Sequence, residues 1–342
     1  MNDISGDSPS PSARRWLVTG SAGFVGSHLL EALLKQGQNV VSIDNFATGH
    51  QHNLDQVRLA VGESAWRRHT FVRGDIIDAQ LCLSVCADAD VVLHQAAIGS
   101  VPRSIATPLI THATNATGFL NLIDAARQSA VKRFVYAASS STYGDHPQLP
   151  KVEHAIGKPL SPYAVTKYLN ELYADVYGRC YGMETIGLRY FNVFGARQDP
   201  LGPYAAVIPR WIDDMLHDRP CTINGDGSTS RDFCYIANVV QANLLAAGST
   251  NPAAINQVFN VAFGESTTLT QLHDLIAATL KSRQPERNIA PPSHQDFRPG
   301  DIRHSLANVG KAQTLLGYTP RFSVRDGLTQ ALDWYLTNTV AR

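Results

Sequence analysis

The chain has 342 residues, enough for one large or two modest domains. Its 29 basic and 29 acidic side chains balance and no stretch is strongly basic, which argues against a nucleic-acid partner. No run of 18 or more apolar residues suggests a membrane span, so no membrane association is expected. Residues 1–13 are rich in Ser, Pro and Asp and lack the apolar core of a signal peptide; they read as a mobile extension. The protein is therefore expected in the cytoplasm with its five cysteines reduced. Cys82 and Cys86 are spaced C-x-x-x-C with no second pair and no H-E-x-x-H nearby, so no metal site is expected. Asn115-Ala-Thr matches a glycosylation acceptor, which has no consequence in a cytoplasmic helix.

In chain order, Trp16-Leu-Val-Thr is a short apolar strand running into Gly20-Ser-Ala-Gly23-Phe24-Val25-Gly26. A helix is predicted from Ser27 to Gln36 with Gly37 as its stop. Asn39 to Asp44 is a second strand, ending in an acid 18 residues after Gly26. This is the dinucleotide fingerprint in its required setting, between a strand and a helix. The glycines let the backbone approach a pyrophosphate, whose charge is held at the helix N-terminus. Asp44 would accept hydrogen bonds from the adenosine ribose. Asn45 and Phe46 follow it rather than an arginine, so a 2′-phosphate would be repelled and NAD is favoured over NADP.

Further strands are predicted over 69–75, 90–97, 132–138 and 185–190, with a long helix from about Leu109 to Ala130 whose apolar spacing is helical. Strands separated by helices give an α/β fold, a doubly wound parallel (Rossmann) sheet with ligands at the carboxyl ends of its strands. Asp75, Gln95-Ala96-Ala97, Ser139–Ser141 and Tyr190 all fall at such ends. Between them lies Tyr163-Ala-Val-Thr-Lys167, whose outer residues share one face of a helix. A tyrosine titrates near pH ~10. One positive charge ~5 Å away is worth ~3 kcal/mol at an effective dielectric of ~20, or roughly two pH units. A lysine together with a cationic cofactor ring would bring such a phenol within reach of neutral pH, where it can act as a base. Ser140 and Ser141 can contact a substrate directly or only shape the strand end.

After about Gly195 the pattern loosens, although Gln257 to Ala262 still reads as a buried strand. Asn224-Gly-Asp-Gly, Ser230-Arg231-Asp232 and Phe297-Arg298-Pro-Gly-Asp301 stand out. Arginines from separate loops can clamp a second diphosphate. Arg231 can equally pair with Asp232 or another carboxylate.

Taken together, T-G-x-x-G-F-x-G at 19–26, Asp44-Asn-Phe, Gly74-Asp75-Ile76, His94-Gln-Ala-Ala, Tyr163-x-x-x-Lys167, Arg189-Tyr-Phe-Asn192, Arg231-Asp-Phe and Arg298-Pro-Gly-Asp301 resemble the extended short-chain dehydrogenase/reductase family. The resemblance runs from Leu17 to about Leu336. Within the family it is strongest to the UDP-sugar 4-epimerases, above all the bacterial branch that prefers N-acetylated sugars. Gly99-Ser-Val-Pro-Arg-Ser104, Ala137-Ala-Ser-Ser-Ser-Thr-Tyr-Gly-Asp145 and Tyr204-Ala-Ala-Val-Ile-Pro209 carry that part.

The resemblance implies a bound NAD that takes hydride from C4 of a UDP-N-acetylhexosamine and returns it to the other face, through a 4-keto sugar. UDP-N-acetylglucosamine and UDP-N-acetylgalactosamine would be interconverted for surface-polysaccharide (O-antigen) supply. On the same resemblance, UDP-glucose, UDP-galactose or the N-acetyl uronic acid would be further substrates. Tyr163 would be the base, helped by Ser139, and Lys167 would hold the nicotinamide ribose. The cofactor groove would comprise Gly20, Gly23, Phe24, Val25, Gly26, Asp44, Asn45, Phe46, Gly49, Asp75, Ile76, Gln95, Ala96, Ala97, Tyr163, Lys167, Tyr190 and Val193. Gly99, Ser100, Gln198 and Ala206 would line the acetamido side, and Val207 would also contact the substrate. Asn192, Arg231 and Arg298 would hold the diphosphate, and Asn224 and Asp301 the uridine. Related dehydratases carry Asp-Glu at the positions of Ser140 and Ser141, and decarboxylases a glutamate at the second; serines there favour an epimerase. Ser305 stands where epimerases restricted to glucose and galactose have a tyrosine, leaving room for the 2-acetamido group. A dehydratase, a decarboxylase and a non-catalytic NAD-binding regulator are the competing readings.

The expected division is an extension over 1–13, an NAD-binding Rossmann domain over 14–195 rejoined by a segment near 232–262, and a smaller mixed α/β UDP-sugar-binding domain over 196–342. The helices Leu109–Ala130 and Ser161–Tyr181 carry apolar positions on more than one face. They can pair across a two-fold axis as a homodimeric four-helix bundle, as the resemblance implies, or be buried within one subunit.

Overall fold

Strands buried on both faces need continuous apolar runs, and the first strand, β1 (Arg15–Thr19), supplies one in Trp16, Leu17 and Val18, all buried. The computed structural model describes residues 14–201, 205–297 and 302–339; the extension 1–13 lies outside them. The chain continues through α1 (Phe24–Lys35), β2 (Asn39–Asp44), α2 (Gln51–Trp66), β3 (His69–Arg73), α3 (Ala79–Cys86), β4 (Val91–His94), α4 (Val101–Ala106), α5 (Pro108–His112), α6 (Gly118–Gln128), β5 (Arg133–Ser139), α7 (Pro162–Tyr181) and β6 (Thr185–Tyr190). A last strand, Gln257–Val261, completes a seven-stranded sheet in which every pairing is parallel. Its order is Gln257–Val261, β6, β5, β4, β1, β2, β3. The doubly wound parallel sheet expected from the alternation is the fold observed.

Local differences from the sequence reading have physical causes. Helix α1 starts at Phe24 rather than Ser27, because Gly23 is its extended N-cap and Phe24 to Gly26 form the first turn. Strands β3 and β4 stop at Arg73 and His94, and the residues beyond leave the sheet to floor a cavity. The predicted helix 109–130 is two helices, α5 and α6, joined by a π-turn over Ala113–Thr117. Inside that turn Asn115 is buried and brackets Ile98, accepting from its N–H at 2.7 Å and donating to its carbonyl at 3.0 Å. Helix α7 is specified by its ends: Ser161 Oγ accepts from the Ala164 N–H, Pro162 opens the first turn, and Gly182 closes it in the left-handed region.

Two apolar clusters cover the faces of the sheet. One contains Val18, Leu30, Leu33 and Leu188; the other Leu17, Phe119, Leu122 and Phe134. The helix Ile236–Gly248 packs on the first of these, bringing the chain back to the sheet before the last strand. A third cluster, with Phe194, Trp211, Met215, Leu272, Ile276, Leu328 and Tyr335, is built by the helices Val207–Leu216, Leu269–Arg283 and Val324–Thr339. Cys82 and Cys86 are buried among apolar neighbours, and burial pushes both thiols up to about 12. No helix among the described residues is long and apolar enough to cross a membrane.

Candidate active site

A cavity of about 460 Å³ opens at the carboxyl ends of β1, β2, β4, β5 and β6. Its glycine wall is set by contact. Gly20 has φ +70°, and a Cβ there would sit 2.8 Å from the Ala96 nitrogen; a Cβ on Gly26 would lie 2.0 Å from the Gly20 carbonyl oxygen. Backbone thus takes the place of side chains where a pyrophosphate would lie, at the start of α1. Asp44 is buried at the end of β2, where its carboxylate accepts from the N–H of Ala22 at 2.9 Å and of Phe46 at 2.7 Å. Burial raises its pKa and the amides oppose the rise. Asn45 donates to Asp75 at 2.7 Å, closing the groove beside it. Bare backbone, an acid at the strand end and room for an extended ligand fit a dinucleotide.

The cavity also brings together Gly23, Phe24, Val25, Ile76, Gln95, Ala96, Ala97, Gly99, Ser139, Tyr163, Lys167, Tyr190, Asn192, Val193 and Gln198. On its inner wall the Tyr190 hydroxyl donates to Gln95 Oε1 at 3.0 Å and accepts from Asn243 Nδ2 at 2.8 Å, while Gln95 Nε2 donates to Asn243 Oδ1 at 3.2 Å. Asn243 is fully buried on the helix Ile236–Gly248 behind this wall. Burial raises the Tyr163 phenol above its ordinary value, and a hydrogen bond from Ser139 opposes the rise. Lys167 Nζ donates to the Ala137 carbonyl at 2.8 Å, and burial pulls its pKa down to about 8 against the pull of Glu171. In place of the expected lowering by Lys167, the Ser139 hydroxyl is the protein group that moves the phenol downward.

A second cavity of about 410 Å³ adjoins the first, with Asn192 in both. Ser140, Ser141, Arg231 and Ser305 line it, together with Tyr143, Gly144, Lys151, Leu160, Phe191 and His304, which sequence reasoning did not single out. Arg231 Nη1 donates to the carbonyls of Ser230 at 3.0 Å and Arg303 at 3.1 Å. The neighbouring Asp232 carboxylate accepts the N–H groups of Phe263, Gly264 and Ala307, and burial raises it to about 7.

Phe46, Gly49, Ser100, Ala206, Val207 and Asn224 line neither cavity. The Phe46 ring packs on Phe71, under the guanidinium of Arg73. Gly49 backs onto Ala22, where a Cβ would come within 2.9 Å of the Ala22 Cβ. Ser100 caps α4 and Ala206 the helix Val207–Leu216. Asn224 ends a short strand against Ser293–Gln295. Arg298 and Asp301 lie outside the described residues.

The model of the NAD dependent epimerase/dehydratase family matches residues 16–262. The UDP-glucose 4-epimerase of Mycolicibacterium smegmatis is 34% identical over 326 residues, covering 94% of this chain and 98% of its own. Among solved structures, the UDP-N-acetylglucosamine 4-epimerase of Methanobrevibacter ruminantium, in complex with UDP-N-acetylmuramic acid, has a TM-score of 0.86 at 36% identity, over 95% of this chain and 99% of its own. The UDP-glucuronic acid 4-epimerase of Bacillus cereus, in complex with UDP-glucuronic acid and NAD, has a TM-score of 0.83 at 32% identity, over 94% and 99%.

Proposed function

The chain belongs to the NAD dependent epimerase/dehydratase family as a UDP-sugar 4-epimerase with NAD as its cofactor, and on that premise we propose that it interconverts UDP-N-acetylglucosamine and UDP-N-acetylgalactosamine. The observation that carries this reading is the lining of the second cavity. Ser140, Ser141 and Ser305 face it, and no aspartate or glutamate is among the described residues around it. Without a carboxylic acid beside the sugar there is no group to protonate a departing hydroxyl, so elimination is disfavoured. With serine rather than a large ring at 305, a 2-acetamido group has space.

NAD, when bound, supplies a hydride acceptor that becomes the donor on return. Tyr163 takes the proton of the sugar 4-hydroxyl as the C4 hydrogen departs, and gives it back after the 4-keto sugar has turned over; net redox is zero. Ser139 hydrogen-bonds the Tyr163 oxygen and favours the phenolate that accepts this proton; the phenol so formed returns it. Lys167 anchors the nicotinamide ribose, and Asn192, which lines both cavities, and Arg231, in the second, hold the diphosphate. The homodimer belongs to the same proposal. Leu109, Ile110, Val165, Leu172 and Tyr181 expose apolar side chains on α5 and α7, which supports pairing of these helices across a two-fold axis.

Purified protein incubated with each UDP-sugar tests the assignment. Equilibration of the two N-acetylhexosamine epimers at unchanged mass is expected; loss of water or carbon dioxide would overturn it in favour of a dehydratase or decarboxylase. Ser305→Tyr should lower turnover of acetylated sugars about tenfold or more while sparing UDP-glucose. Equal loss on both would remove Ser305 from the specificity wall.

A further inference from the structure

A buried acid that the reaction above does not use stands where the cofactor sheet meets the wall of the second cavity. Asp232 is fully buried and lines neither cavity. Its Oδ1 accepts from the N–H of Phe263 at 3.1 Å and of Gly264 at 3.2 Å, and its Oδ2 from the N–H groups of Gly264 and Ala307, each at 3.1 Å. Phe263 and Gly264 follow the last strand of the sheet, Gln257–Val261. Ala307 follows Ile302, His304 and Ser305, which line the second cavity. One carboxylate thus joins the sheet that carries the cofactor groove to the wall that faces the sugar. Both of its oxygens must accept; an amide would turn an NH2 group toward an N–H donor.

The strand before Asp232 fastens the same wall along its length. Ser230 N–H donates to Arg303 O at 2.9 Å and Ser305 N–H to Ser230 O at 3.1 Å. Ser230 Oγ lies 2.9 Å from His304 Nδ1 and accepts from Ser266 Oγ at 2.8 Å. On its other side the strand pairs with Thr267 and Thr268, where the helix Leu269–Arg283 of the third apolar cluster begins. Asn192, which lines both cavities, donates from Nδ2 to the Asp232 carbonyl at 2.9 Å. Arg231 stands between the two fastenings, so the bonds of Ser230 and Asp232 also set its place. We infer that Asp232, and more weakly Ser230, are positioning residues for the substrate, holding Arg231, Asn192 and Ser305 in register with the cofactor. A displacement of about 1 Å between reacting partners costs on the order of a hundredfold in rate, which is what such a joint prevents. The inference rests on the UDP-sugar reading of the cavity.

Wild type, Asp232→Asn and Ser230→Ala are compared as NAD-loaded proteins. The readouts are kcat and KM on UDP-N-acetylglucosamine, calorimetric Kd for UDP, NAD retained on purification, and the unfolding midpoint. Asp232→Asn should weaken UDP binding about tenfold and lower kcat/KM about a hundredfold, with kcat carrying what KM does not, at full NAD content. Ser230→Ala should raise KM about threefold at full NAD content. A lowered unfolding midpoint with kcat and KM of the folded enzyme unchanged would make Asp232 structural only and overturns the proposal. So does a loss of NAD as large as the loss of UDP. If Asp232→Asn does not fold, Ser230→Ala decides: a raised KM upholds the proposal and an unchanged one overturns it. If wild type retains NAD but turns over no UDP-sugar, the epimerase reading fails by itself and the UDP affinities decide: equal Kd in wild type and Asp232→Asn overturns the proposal, a selective loss upholds it.

Discussion

Gly26→Ala tests the cofactor cradle on the geometry of its backbone. The added Cβ would lie 2.0 Å from the Gly20 oxygen, 2.6 Å from the Gly20 carbonyl carbon and 3.0 Å from Ser21 Cα. All of these are backbone atoms, so no flexible side chain can give way. Carbon and oxygen rarely approach closer than about 3.3 Å, and the loop would have to retreat by roughly 1.3 Å. It has little freedom to do so. Gly20 N–H is bonded to Ile43 O at 2.9 Å, and its own Cα faces Ala96 so closely that a Cβ there would meet the Ala96 nitrogen at 2.8 Å. Overpacking of this kind costs about 1–3 kcal/mol of stability. A displacement of about 1 Å in a binding wall costs on the order of a hundredfold in function. Urea unfolding and NAD affinity, measured together, should therefore both fall. Gly248→Ala is the control: its Cβ meets nothing within 4 Å, and the substitution should be neutral or stabilising by up to about 1 kcal/mol. A Gly26→Ala protein with wild-type unfolding and wild-type NAD affinity would refute the reasoning.

Lys167 gives a prediction with pH. Burial holds its ammonium at about 8 against an ordinary 10.5, so between these values the cofactor-free native protein binds fewer protons than the unfolded chain, and its stability should rise with pH. The gap corresponds to about 3 kcal/mol at most; Lys167→Met should flatten the rise in urea titrations, and parallel slopes would contradict the assignment. Asn243→Leu strips Tyr190 of a donor and Gln95 of an acceptor without touching the cavity, so stability should fall by about 2–3 kcal/mol and NAD affinity with it. Lost stability at unchanged NAD affinity would make the Gln95–Tyr190–Asn243 ring structural only.

The cofactor half was legible because its signals are local. Apolar runs mark β1 to β6, and Ser161, Pro162 and Gly182 mark the ends of α7 by the hydrogen bonds and dihedral angles that those residues provide. Gly20, Gly26 and Asp44 belong to one strand–turn–helix–strand unit, so their spacing along the chain already encodes their proximity. The second cavity has no such unit. Its walls come from 101–105, 140–144, 151, 160–164, 191–192, 231 and 302–305, segments made neighbours only by the fold. Lys151 follows a Leu-Pro pair in an irregular loop and gave no periodic or motif signal. Asn243 was hidden because it acts from behind the cavity wall, on a helix whose pattern looks like ordinary packing. The helix Val207–Leu216 was readable from Ile208, Trp211, Ile212 and Met215, which recur at helical spacing and are all buried, but Pro209 in its first turn masked it.

The least local quantity in the site is the acidity of Tyr163. Its neighbourhood pushes the phenol in the wrong direction for a base, because burial outweighs the hydrogen bond from Ser139. Lys167 directs its ammonium at the Ala137 carbonyl, and burial disfavours its charged form. One positive charge about 5 Å from the phenol, at an effective dielectric of about 20, contributes about 3 kcal/mol, enough to lower its pKa by roughly two. A cationic ring held in the cavity that Tyr163 lines would meet that requirement, and ribose hydroxyls beside it would give Lys167 acceptors that favour its charged form. The same burial that makes the phenol inert alone lets the added charge act at low dielectric. Proton removal from the sugar would thereby be tied to the presence of the group that must accept the hydride, and a base able to act without that acceptor would gain nothing for the reaction.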